Sequence, residues 1–452
     1  MSTSTCVFEW RYGSREMREL FSVSSIVKKY IEVEKALVKA LVRVGIAPSY
    51  CIEEVEKCSS SVDPMEVYRR EAVTGHDIAS LVFILSEKCG ECSRFIHYGA
   101  TSYDVVDTAW SLILREALGL IESKLKRVIL RLSELAVEYA DAVVVGRTHG
   151  QHALPITFGF KFANYAYELA RSYERLRELS RRLIRLKMSG SVGTMASWGR
   201  IALEIERAVS EELGLEPHAV TTQVAPRDGF AELVSDLAIL ASQLDRLALE
   251  VRELSRTEIS EVYEAAERVG SSAMPHKRNP VVAERISGLA KVVRSLVTIA
   301  LENIPLMHER DLTNSSSERI LLPHAVLAVD QMLEDTIKLL ETMVVDCDAA
   351  RRNLELTRGA VYSELLVTRL VDKGLPRHKA YYLVMETVKS MKPGETLVEA
   401  VLGNTELSRY FTREELQILV KPESALVNVK KLIERALDYV SSVLLSDGVR
   451  EH

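Results

Sequence analysis

The sequence predicts a mainly α-helical protein of three helical domains, with a central bundle of long helices forming the core of an oligomer. Three observations carry that expectation. Proline is rare, 12 in 452 residues, and gathers at junctions, leaving long proline-free stretches such as 106–140 and 229–268. Within those stretches Leu, Ile and Val recur at three- and four-residue spacing, the period of one helix face. No β-type alternation and no dinucleotide glycine fingerprint is evident.

The expected elements run in order. An N-terminal helical domain occupies residues 1–105 and ends in "HYGATSYD". The long-helix bundle follows over 106–345, with helices at 106–140, 158–187, 229–268, 281–303 and 318–344. A forty-residue helix spans roughly 60 Å, longer than a compact domain needs. Its exposed apolar stripe therefore calls for other copies of the chain. A smaller helical domain, 346–452, begins near "VVDCDAARRN".

Composition narrows the function classes. The formal net charge of −6 argues against a general nucleic-acid or anionic-membrane surface, so an anionic ligand must meet local cations. No apolar run is long enough for a membrane helix, and the opening "MSTSTCVFEWRYGSREM" lacks a signal pattern, which points to the cytoplasm. The six cysteines are scattered. Cys89-Gly-Glu-Cys92 has no second pair or histidine motif to complete a zinc site. Buried, inert thiols are expected, with disulfides the alternative. Sparse Asn and Gln beside many Arg and Glu lean toward a thermophile, where intracellular disulfides occur.

Polar residues collect in loops at helix ends. In "VTGHDIAS" Thr74 or Asp77 is expected to cap the helix that follows, with His76 beside it. In "IHYGATSYDVVDTA" Thr101-Ser102-Tyr103-Asp104 fits a capping box, and such a helix start offers hydroxyls and amides to an anion. In "GRTHGQHALPITFG" His149 and His152 lack a third metal ligand, so Thr148 and His149 read better as part of a held proton-donor loop. In "MHERDLTNSSSERI" Ser315-x-x-Glu318 fits a second capping box. Arg310 and Arg319 beside its serines would suit a phosphate or carboxylate. "GSSAMPHKRNP", 270–280, cannot be helix interior because Pro275 and Pro280 each remove a donor. It places two serines beside Lys277 and Arg278. Together these loops look like pieces of one site.

"GSSAMPHKRNP" resembles the signature loop of the fumarase/aspartase superfamily, and its "SAMPHKRNP" form is similar to the adenylosuccinate lyase family within it. Further motifs recur in order: "RYGSREM", "GHD", "HYGATSYDVVDTA", "GRTHGQHALPITFG", "TTQVAPRD", "HERDLTNSSSERI" and "LVDKGLPRHKAY". The resemblance implies a three-domain helical homotetramer whose active sites draw loops from three subunits, with no metal or organic cofactor. It implies elimination of fumarate from adenylosuccinate, giving AMP, and from the succinyl-aminoimidazole-carboxamide ribotide.

By the same resemblance Ser271 is the general base and His149 the general acid, with His76 a supporting histidine. Lys277 and Asn279 stabilise the aci-carboxylate intermediate. Arg11 and Tyr12 meet the nucleotide. Thr101 and Ser102 hold a carboxylate, Gln223 the succinyl side, and Arg310, Ser315 and Arg319 the phosphate and ribose. Ser272, Thr148 and Asp77 complete the substrate-binding set. Gly75 stands where relatives carry Arg or Lys, and Arg285 where they often carry Asn. Another fumarate-releasing lyase such as argininosuccinate lyase, a carboxymuconate-cyclising relative, or an inactive helical scaffold are the alternatives.

Overall fold

The computed structural model of the chain describes residues 5–265, 274 and 276–445. Five long helices dominate the described residues: α1 (Ser102–Glu138), α2 (Phe158–Leu183), α3 (Asp228–Leu254), α4 (Val281–Glu302) and α5 (Thr313–Thr342). Contact density divides the chain into two units, each receiving one end of every long helix. The first holds 1–125, 172–244 and 288–334; the second holds 126–171, 245–287 and 335–452.

In the first unit the helix Val23–Arg43 buries Val33, Leu37 and Leu41, four apart on one face, and packs against the helix Ala202–Leu213. Glu34 lies on that buried face at 0% exposure, answered by His97, whose N–H and Nδ1 sit 2.8 and 2.6 Å from its two oxygens. The helix Cys51–Ser60 presents Cys51 and Cys58, seven residues and thus two turns apart, on one buried face.

There the expectation of inert thiols fails. Cys51 pairs with Cys92 and Cys58 with Cys89, so both members of the CxxC are used, each in a different disulfide. Cys51 and Cys58 stand seven residues apart and Cys89 and Cys92 three, so spacing alone does not announce the pairing. Cys6 and Cys347 remain free thiols.

In the second unit two short strand pairs, which the sequence reading did not locate, interrupt the helices. β1 (Val143–Thr148) and β2 (Gln151–Thr157) form an antiparallel hairpin with an irregularity between Val145 and Arg147. The strands are short, and only part of each alternates, which hid them. The helix expected over 229–268 stops at Leu254. Ser260 turns the chain in the left-handed region, and the Glu261 N–H returns to the Leu254 carbonyl, 2.9 Å away. β3 (Val262–Glu264) then pairs with β4 (Met343–Val345). Ile259 and Val262 kept helical spacing, so tertiary pairing overrode local pattern. The C-terminal helices close over Leu366, Leu370, Leu397, Val401 and Leu416, with Val145 of the hairpin in the same core.

Candidate active site

The polar loops of the first unit are held by two buried ionic clusters. The Thr101 N–H donates to Asp104 Oδ2 at 2.8 Å, opening α1 with the backbone half of the expected capping box. Asp104, at 0% exposure, also receives Lys187 Nζ at 2.6 Å and the Ser189 N–H at 2.8 Å. An ion pair taken out of water is costly unless its remaining bonds are filled, and here the filling groups tie the start of α1 to the 187–190 segment.

Arg227 is the hinge of the second cluster. Its Nη1 donates to both oxygens of Glu318 at 3.1 and 3.2 Å, and its Nη2 to Asp107 Oδ2. Asn314 adds a 3.0 Å bond to Glu318. Burial pushes the Glu318 carboxyl above its usual range, against the pull of Arg227. Glu318 is therefore not a capping residue, as the Ser315-x-x-Glu318 pattern implied. α5 opens earlier, at Thr313, whose N–H and hydroxyl donate to Asp311.

Between these clusters stands Arg310. Its guanidinium lies over the Tyr103 ring, 3.7 Å from the centroid, and Nη1 donates to Gln223 Oε1 at 3.0 Å. Gln223 is fixed in turn by its Nε2 bond to the Ser191 carbonyl. Burial raises the Tyr103 phenol, which shares a hydrogen bond with Ser315. The Nε and Nη2 of Arg310 are buried without a partner, and Arg310, Gln223 and Ser191 line a cavity of about 240 Å³. Two buried donors on a half-buried guanidinium suit an anion such as a phosphate or carboxylate.

Asp77 Oδ2 accepts from Arg319 Nη2 at 2.9 Å. Burial first, and then the Asp77 charge, raise the phenols of Tyr30 and Tyr68. Neither Thr74 nor Asp77 is the cap of the helix Asp77–Lys88: the His76 Nδ1 accepts the Ala79 N–H at 3.4 Å, while Thr74 bonds Ser80. Gly75 ends the preceding helix at φ +69, a left-handed position that disfavours Arg or Lys there. Arg11 is exposed, 5.7 Å from the centroids of both the Trp10 and Tyr12 rings. The adjoining Gly13 and Ser14 N–H groups donate to Gln331 and Asp330 of α5.

In the second unit Thr148 and His149 are exposed at the turn between β1 and β2. His149 and Gly150 both have positive φ, +55 and +73, as a two-residue hairpin turn of this twist requires. Just below, Arg147 donates to both oxygens of Glu261 at 2.6 and 2.8 Å, and Asn353 adds a third bond at 2.8 Å. Lys277 is exposed and Asn279 half-buried just before α4. The N–H groups of Val282 and Ala283 at the α4 start donate to Glu264. Arg285 forms a two-pronged bond to Asp335. Ser271 and Ser272 lie outside the described residues.

The first unit thus joins Arg310 to Gln223, Tyr103 to Ser315, and Arg319 to Asp77. The second sets Thr148 beside His149 at the hairpin turn, and Lys277 near Asn279 ahead of α4. Sequence reading gave Tyr103 and Asp104 only as part of a helix cap, not as site residues, and missed Asp107, Lys187 and Arg227. The spacing of Asp104 and Asp107, one turn apart in an apolar helix start, was the available signal.

A family model described as Lyase matches residues 11–295, and one described as Adenylosuccinate lyase C-terminus matches 359–436. The chain is 45% identical to the adenylosuccinate lyase of Methanothermobacter thermautotrophicus over 95% of its length and 97% of that protein's. It is 43% identical to the adenylosuccinate lyase of Pyrococcus abyssi, covering 96% and 98%. Among solved structures it resembles a fumarate lyase from Mesorhizobium sp. BNC1 with TM-score 0.88 and 29% identity, covering 96% of this chain and 99% of that one. It resembles the 3-carboxy-cis,cis-muconate lactonizing enzyme of Pseudomonas putida with TM-score 0.88 and 30% identity, covering 97% and 99%. With relatives of this identity aligned end to end, and a C-terminal segment matching that family's own model, the chain belongs to the adenylosuccinate lyase family.

Proposed function

We propose that this chain eliminates fumarate from adenylosuccinate, giving AMP, and from the succinyl-aminoimidazole-carboxamide ribotide of purine synthesis. The curated relatives and the C-terminal match support this substrate over argininosuccinate or a muconate. The observation that carries the binding half is Arg310, whose two buried, unpartnered nitrogens border a cavity with Gln223.

The reaction removes a proton from the carbon beside a carboxylate and then breaks the C–N bond. Ser271 takes the proton, and His149 gives one to the departing nitrogen. A serine hydroxyl is a weak base, so it needs a neighbouring cation, the role of Lys277. The aci-carboxylate carries added negative charge, which Lys277, Asn279 and the N-terminus of α4 offset. Thr101, Ser102 and Gln223 hold the succinyl carboxylates. Arg310, Ser315 and Arg319, with Asp77 orienting Arg319, hold the phosphate end. Arg11 and Tyr12 meet the nucleotide, and His76 keeps an exposed ring beside it. Ser272 and Thr148 add donors next to the base and the acid.

The working form is a homotetramer in the cytoplasm, with active sites shared between subunits. Exposed Leu130 and Val137 on α1, Leu249 on α3, and Leu301 on α4 support such an assembly, since each is a large apolar side chain at least 45% exposed. No described helix is long and apolar enough to cross a membrane.

Mixing purified protein with adenylosuccinate and following ultraviolet absorbance tests the reading. Expected is AMP formation, with Ser271→Ala and His149→Gln each lowering turnover by orders of magnitude while substrate still binds. Turnover of argininosuccinate alone would overturn it.

A further inference from the structure

Lys187 is 1% exposed, a degree of burial that lysine almost never shows unless paired. Its ammonium donates to Asp104 Oδ1 at 2.6 Å and to the Gly190 carbonyl at 3.2 Å. Its backbone is held as closely. The Lys187 N–H donates to the Thr108 hydroxyl at 3.2 Å, and that hydroxyl donates to the Lys187 carbonyl at 2.8 Å. Asp104 and Thr108 are one turn apart on α1, so both ends of the lysine are fastened to the same helix.

Stability alone is a weak reason for such a pair, because apolar residues of similar volume often serve as well. What the pair also does is hold irregular chain. Asp104 accepts from the N–H groups of Thr101, Ser189 and Gly190, at 2.8, 2.8 and 3.1 Å. Thr101 leads into Ser102 at the α1 start. The Ser189 hydroxyl bonds that of Thr221 at 2.6 Å, and the Ser191 carbonyl accepts from Gln223 Nε2 at 3.1 Å. A side chain at Gly193 would put its Cβ 2.0 Å from the Thr221 carbonyl oxygen, so these two segments run in close contact. One buried pair thus anchors both segments that carry Thr101, Ser102 and Gln223, the groups assigned above to the succinyl carboxylates.

Charge gives Lys187 a second task. Asp104 stands in the first turn of α1, where the helix dipole also favours a substrate carboxylate. At 0% exposure, an unneutralised Asp104 would oppose that anion with little screening from water. Lys187 cancels the charge from a fully buried position.

We propose that Lys187 is a positioning residue of the fumarate-releasing reaction, setting Thr101, Ser102 and Gln223 for the succinyl carboxylates and neutralising Asp104 beside them. It acts through those groups and touches no substrate. The proposal rests on the catalytic reading above and adds to it a residue that serves the succinyl end and not the phosphate end.

The two ends are separated by running the reaction in reverse, from AMP and fumarate, and measuring KM for each. Lys187→Met is expected to raise KM for fumarate about 10-fold or more, the effect of disturbing hydrogen bonds to a charged group. KM for AMP should move less than about 3-fold, within the effect of one neutral hydrogen bond. The double variant Lys187→Met, Asp104→Asn leaves no unpaired buried charge, and should show the same bias toward fumarate with a smaller rise. Thr221→Val, isosteric and half-buried, breaks only the link to the Gln223 segment and carries the test where the lysine variants do not fold. It is expected to raise KM for fumarate about 3-fold, again with AMP unmoved. A merely structural role would lower both affinities together. Equal loss for AMP and fumarate, loss confined to AMP, or unchanged KM values in the folded variants would each overturn the proposal. A parent that forms no AMP from adenylosuccinate would instead overturn the catalytic reading, and this proposal with it.

Discussion

The guanidinium of Arg310 lies 3.7 Å from the centre of the Tyr103 ring while one of its nitrogens holds Gln223. Stacking and the amide fix its plane, and the two nitrogens left over are buried without a partner. A fork so fixed binds a planar or tetrahedral anion with little loss of freedom. Arg310→Lys keeps the charge and loses the fork. A hydrogen bond to a charged group contributes about 1.5–3 kcal/mol, so KM for adenylosuccinate is expected to rise about 10- to 100-fold, with a smaller change in kcat. Steady-state kinetics decide it, and an unchanged KM removes Arg310 from the binding set.

Much of this arrangement was legible in the chain. Apolar spacing located the five long helices, and "IHYGATSYD" announced the start of α1 because capping chemistry is local. What stayed hidden was set by distant partners. Ser315-x-x-Glu318 looks like a cap, yet Glu318 turns inward because Arg227, 91 residues away, needs a counter-charge. The end of α3 at Leu254 depends on β4 arriving from residues 343–345. Cys89 and Cys92 carry no mark that says which helix they face. Local pattern fixes where a helix can begin; pairing across the chain decides what its polar residues do there.

Arg227 neutralises two buried carboxylates at once, Asp107 and Glu318. Removing one member of such a group leaves uncompensated buried charge, at a cost of about 3–5 kcal/mol. Arg227→Met is therefore expected to lower the thermal midpoint clearly. The triple variant Arg227→Met, Asp107→Leu, Glu318→Leu should recover most of the loss, because the charges leave together. Scanning calorimetry of both proteins tests this; equal destabilisation of the two would show that the cluster acts by something other than charge balance.

The disulfides close loops with sequence separations of 41 and 31 residues. Chain entropy assigns loops of that size about 4 kcal/mol each, and nesting makes the pair worth less than the sum. Thiol titration in denaturant without reductant is expected to give two thiols per chain, rising to six after reduction. Reduced protein should inactivate faster on heating. Six thiols in the untreated protein would count against both bridges.

His97 and Glu34 make stability depend on pH. Burial disfavours the charged imidazole, but the Glu34 carboxylate at 2.6 Å outweighs it, and the ring's pKa is raised above its ordinary 6.5. A histidine raised on folding binds its proton more tightly in the native state. Its contribution is whole below the unfolded value near 6.5 and drains away as pH climbs through the higher folded value. His97→Asn removes the titration while keeping a polar side chain. Unfolding rates at a fixed elevated temperature, followed from pH 5.5 to 9.5, should differ most between parent and variant at the acid end. The gap should narrow through neutral and alkaline pH. A gap that is flat across the range would mean that His97 serves Glu34 only through its neutral Nδ1–H and backbone N–H bonds, with no net contribution from its charge.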